Sequence, residues 1–176
     1  MIFKFRMLSD EDENFIRDYE ISYDATIKDL HTLICNDIDY DAEEMCSIFL
    51  CDEGWMKLRE FTLFDMGVGG SDAIDGDEQS LPVAMDSVLL GQAVRTKFAR
   101  LLFVFDLFED RAFFLELLEA KEGEEGKEYP RLLFANGEAP DQFDASQSVA
   151  NRSIFDEAMD DFSDFGGDDD YYDDEY

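Results

Sequence analysis

The chain has 176 residues, with 45 Asp and Glu against 14 Lys and Arg, for a formal charge of −31. A surface this negative repels phosphate backbones, because duplex binding rests on Lys and Arg displacing counterions, so direct nucleic-acid binding is excluded. At 45% hydrophobic residues the chain is too apolar to be disordered throughout, and it is long enough to bury a core without disulfides or a metal.

The first element reads as a strand: Phe3, Phe5 and Met7 alternate with Lys4 and Arg6. An acidic turn, Ser9 to Asn14, follows. The next segment puts Phe15, Arg17, Tyr19, Ile21 and Tyr23 on one face and Ile16, Asp18, Glu20 and Ser22 on the other. Together the two read as a β-hairpin, with Arg17 interrupting the apolar face near the hairpin end. Thr26 and Asp29 have the spacing of a capping box. Behind them Ile27, Leu30, Ile34 and Ile38 form one helical stripe. Cys46 to Cys51 and Trp55 to Phe64 read as strands. Asp65 to Met85 loses periodicity and reads as a glycine-containing surface loop. Asp86 or Ser87 is expected to cap a short helix containing Val88, Leu89 and Leu90. Arg100 to Asp106 and Arg111 to Leu118 read as strands joined by a turn at Leu107 to Asp110. A charged loop, Glu122 to Glu128, precedes a short strand, Tyr129 to Phe134. The pattern implies an α+β domain over residues 1–143, mostly an antiparallel sheet that starts with a β-hairpin and has helices packed against it. A hairpin followed by a Thr-capped helix also suits a ubiquitin-like β-grasp, the alternative fold.

Residues 144–176 read as an acidic, mostly disordered tail ending in an Asp/Tyr run. From Asp141 onward there are 13 acids and one base, −12 of the −31. Within the tail, residues 153–162 have the spacing of a short amphipathic helix built on Ile154, Phe155, Ala158, Met159 and Phe162. It either docks on its own domain or enters a partner's groove. Phe155, Met159, Phe162, Tyr171 and Tyr172 are the candidate partner-binding residues.

Four stretches resemble the plasmid pRiA4b ORF-3-like proteins, in the family's order. They are the hairpin with Thr26-Ile27 and Leu30-His31; Phe103 to Asp110 with the strand after it; Tyr129-Pro130-Arg131; and Gly137 to Asp141. The signature positions are Leu30, His31, Phe105, Asp106, Tyr129, Pro130 and Arg131. The resemblance implies a mobile-element-associated protein of unestablished activity with a mostly antiparallel sheet. The family's downstream Trp and His fall near Arg111 and Phe113, and its Cys falls at Leu132, so no catalytic or metal role is carried over.

Chemistry is sparse. His31 is the single histidine, and Cys35, Cys46 and Cys51 make an odd set without a Cys-x-x-Cys pair. They read as reduced, buried thiols in a cytoplasmic protein, with no metal and no cofactor. No signal peptide or membrane span is legible. A resolvase would need a basic DNA track, and Arg95, Lys97 and Arg100 are the single basic cluster. The reading is a non-enzymatic interaction module for a basic protein partner, which could include a nucleic-acid-binding protein that the chain engages as a duplex mimic. Two alternatives stay open: a small-ligand-binding protein or enzyme with a pocket near His31 and Asp106, and a charge that serves solubility alone.

Overall fold

Alternation at Phe3, Phe5 and Met7 produces strand β1 (Ile2–Ser9), and its return produces β2 (Ile16–Ser22). The two pair antiparallel from Ile2↔Ser22 to Leu8↔Ile16. The computed structural model describes residues 1–65, 81–96 and 99–143. Helix α1 (Ile27–Ile38) starts at a complete capping box. The Asp29 amide donates to Thr26 Oγ1 at 3.0 Å, and the Thr26 amide donates to Asp29 Oδ2 at 2.8 Å. The helix ends at Asp39, whose φ of 58° is left-handed. Its stripe of Ile27, Leu30, Ile34 and Ile38 is buried against the sheet.

Next come β3 (Ser47–Cys51) and β4 (Lys57–Thr62), and then a two-residue strand, β5 (Val83–Ala84), parallel to β4. β5 lies inside the segment read as loop; two residues are too short to show a period. The remainder of that loop, 66–80, lies outside the described residues. Met85–Ser87 forms a 3₁₀ turn. Asp86 and Ser87 belong to this turn and do not cap the next helix: the Ser87 hydroxyl donates to the Ala84 carbonyl. Helix α2 (Leu90–Ala93) therefore starts later than expected, after Leu89, whose amide donates to Gln92 Oε1 at 3.3 Å. β6 (Arg100–Asp106) and β7 (Arg111–Lys121) form the second hairpin, and β8 (Arg131–Asn136) closes the sheet.

The sheet order is β5-β4-β3-β6-β7-β1-β2-β8, and every pairing but β4–β5 is antiparallel. Among the described residues the sheet dominates and helices are few, so the α+β class holds in that coarse form. The opening that would suit a β-grasp is here part of a wider sheet in which β1 has antiparallel neighbours on both sides. The main core lies between α1 and one sheet face. It holds fully buried Phe5, Phe15, Tyr19, Phe61 and Phe113, and burying each such phenylalanine contributes roughly 1.5–3 kcal/mol. On the other face Leu102, Val104 and Ala112 are buried beneath Phe49, Trp55 and Phe114. Arg100 lies over the Trp55 ring and Lys57 over the Phe49 ring.

The polar face of β2 behaves differently from a solvent face. Asp18 and Glu20 are buried. Arg6 donates to both Asp18 oxygens at 2.7 and 2.9 Å, and these bonds hold the Asp18 carboxyl below its ordinary value. Burial alone would raise Glu20, but Lys121 at 2.6 Å and Arg131 at 2.5 Å outweigh it and lower its pKa.

Candidate functional site: an acidic end of the sheet

Antiparallel pairing decides which loops share an end. Ser9 of β1 faces Phe113 of β7, Ser47 of β3 faces Val104 of β6, and Ile16 of β2 faces Asn136 of β8. The β1–β2 turn, the β6–β7 turn, the α1–β3 connection and the chain after β8 therefore emerge together. Each is acidic. The first carries Asp10, Glu11, Asp12 and Glu13, and the second Asp106, Glu109 and Asp110. The third carries Asp39, Asp41, Glu43 and Glu44, and the last Glu138 and Asp141. The C-terminus of α1 points to the same end and has no basic residue in its last turn, so its partial negative charge adds to the carboxylates.

Local hydrogen bonds shape these loops. Asp12 Oδ1 accepts from the Asn14 amide at 2.8 Å, and Asp41 Oδ1 accepts from the Glu43 amide at 2.9 Å. Asp106 Oδ1 accepts from the Phe108 and Glu109 amides at 2.9 and 3.1 Å. Gly137, at φ 71°, lets the chain leaving β8 press on the first turn: a Cβ there would lie 2.8 Å from the Asn14 backbone.

Among the described residues two arginines sit at this end, and both are turned inward. Arg17 is buried, donates to Asp37 at 3.0 Å and to the carbonyls of Asn136 and Gly137, and lies over the Phe15 ring. Arg111 forks onto Glu11 with two 2.9 Å bonds, donates to the Asp141 and Gln142 carbonyls, and stacks on Phe105. They serve as crosslinks, and Lys57 reaches Asp110 at 3.0 Å, which leaves most of these acids without a cation among the described residues. Among the acids stand exposed apolar side chains: Phe108 at 95%, Met45 at 67% and Phe64 at 60% exposure. Phe64 follows β4, Met45 precedes β3 and Phe108 follows β6, so they top three neighbouring strands.

The signature positions fall elsewhere or play other parts. Leu30 and His31 are core residues of α1. His31 is 1% exposed; its Nε2 lies 3.4 Å from Cys35 Sγ and 3.3 Å from Cys46 Sγ, and its ring meets the Phe103 ring edge-on. Burial, aided by Lys28, lowers His31 to about 4, so it is neutral at pH 7. Burial also pushes the Cys35 thiol up to about 12 and the Cys46 thiol up to about 11. A buried neutral imidazole between two protonated thiols suits packing, not proton transfer with solvent. No metal-holding group of three or more His, Cys, Asp or Glu side chains occurs among the described residues. Phe105 is core and Asp106 organises the β6–β7 turn. A cavity of about 720 Å³ lies at the other end of the sheet, and neither His31 nor Asp106 lines it. Tyr129, Pro130 and Arg131 lead into β8, where Arg131 lies over the Tyr129 ring. Phe155, Met159, Phe162, Tyr171 and Tyr172 lie outside the described residues.

Reasoning from sequence missed the inward role of Arg111 and the exposed Phe108, Met45 and Phe64. Phe108 carried a signal, a phenylalanine between acids in a turn. No helix among the described residues is long and apolar enough to cross a membrane. No family model and no curated protein matches the chain. Among solved structures it is similar to MM3350 of Methanosarcina mazei Go1, a protein of unknown function. The TM-score is 0.58 and the identity 13%, over 76% of this chain and 68% of that one, a likeness that shows the fold alone.

Proposed function

We propose that the chain is a non-enzymatic interaction module whose acidic sheet end binds a basic protein partner. One observation carries the reading: four acidic segments converge where both arginines found there among the described residues are used internally, around exposed Phe108, Met45 and Phe64. Apolar anchors within a charged rim are the usual anatomy of a binding patch, and the charge would steer a basic partner by long-range attraction. We also assign the chain to the pRiA4b ORF-3-like proteins on the residue resemblance. The three free, buried thiols fit a reducing, cytoplasmic setting.

The test is a pull-down from lysate with the full chain at rising salt. It is repeated with Asp10, Glu13, Glu43, Glu44 and Glu109 changed to their amides, and with Phe108→Ala. Basic proteins should be captured, released by salt, and lost from the neutralised variant. A control that neutralises Glu119, Glu122, Glu125 and Glu128 at the opposite end should keep them. Equal capture by both charge variants would refute the reading.

A further inference from the structure

We infer that the cavity at the opposite end is a binding site for a small amphipathic monocarboxylate, with Arg95 taking the carboxylate. The observation is an arginine that has no carboxylate partner among the described residues, in a chain crowded with carboxylates, at the mouth of an apolar cavity.

The cavity measures about 720 Å³ and lies between β1 and β7 on one side and the α2 region on the other. Backbone bonds hold α2 in place. The Leu90 amide donates to the Ala25 carbonyl at 2.8 Å, and the Gly91 amide donates to the Tyr23 carbonyl at 3.0 Å. The Tyr23 ring lies flush against Gly91, where a Cβ would come within 2.1 Å of it. Its other side meets Phe3 edge-on, with ring centroids 5.5 Å apart. Phe3, Leu117 and Val94 are buried and contribute an apolar wall, so the wall is formed before any ligand arrives.

The mouth is polar. Arg95 is exposed, and its Nε donates to the Gln92 carbonyl at 3.0 Å, which orients the guanidinium. Lys4, Arg6, Arg17, Arg100, Arg111, Lys121 and Arg131 each have a carboxylate within 4 Å; Arg95, like Lys28 and Arg59, has none among the described residues, and of these three it alone lines the cavity. Glu119 also borders the cavity but stands opposite Lys4 in the β1–β7 register. One guanidinium matches one carboxylate in a two-bond fork. The apolar wall asks for an alkyl or aryl body, and the volume falls in the range of small-molecule sites.

The experiment is calorimetric titration of the full chain with octanoate and with neutral octanol. Octanoate should bind saturably. Arg95→Gln should weaken octanoate by about tenfold or more and leave octanol unchanged, the loss expected for one charged hydrogen-bonding partner. Ala120→Trp fills the cavity from an exposed position of β7 and should abolish both. Absence of saturable octanoate binding, equal octanoate binding by Arg95→Gln, or undiminished binding by Ala120→Trp would each overturn the assignment. Circular dichroism checks that both variants fold.

Discussion

The two ends of the sheet carry acids in different company. Where β1 turns into β2, Arg17 and Arg111 are drawn inward and the remaining acids face solvent. At the opposite end Lys121, Lys127 and Arg131 gather around Glu20 and Glu124 in one network. The same residue type is thus a structural part at one end and a field at the other. Net charge alone cannot tell these apart; topology can.

The contrast can be broken from the paired end first. Changing Lys121 and Arg131 together to Ala strands Glu20, a fully buried carboxylate, and a buried charge stripped of its partners is among the costliest changes. Urea unfolding should show the largest loss of the series, and adding Glu20→Leu should recover much of it. Next is His31, neutral in the core with its pKa lowered to about 4. The unfolded chain takes up a proton near pH 6.5, so stability falls as pH drops from there to about 4, by roughly 3 kcal/mol. Protonating the acidic end relieves repulsion and acts in the opposite direction. The readout is therefore the difference between wild type and His31→Leu from pH 7 to 4; a constant difference refutes the assignment. Third, Arg111→Ala should cost about 2 kcal/mol by removing a charged fork and two carbonyl bonds. It should also loosen the Asp141–Gln142 segment, seen as faster amide exchange. The smallest effect is expected at the acidic end itself. Asp10→Asn with Glu13→Gln should change stability by no more than about 0.5 kcal/mol, while the melting temperature becomes less sensitive to added salt.

Much of the fold was legible because its signals are local. Alternation in β1, the Thr26–Asp29 box and the stripe from Ile27 to Ile38 each lie within a dozen residues. The burial of Asp18 and Glu20 was not, since their cations come from β1, β7 and β8 and depend on register. His31 shows the boundary: Cys35 at i+4 was readable on the helix, but Cys46 arrives from beyond it. The acidic end was hidden in the same way. Its members are spread from Asp10 to Asp141, and strand pairing brings them together. The cavity beside Arg95 depends on Gly91 meeting Tyr23, a contact with no periodic trace.

Helix α1 has a further consequence. It starts beside Asp24 and Asp29 but runs toward the four acidic segments, with its negative pole among them. The described body therefore has a built-in electrical polarity along the strands. On an anion-exchange bead or a positively charged electrode it should settle with the β1–β2 turn against the surface and the Arg95 mouth facing the liquid.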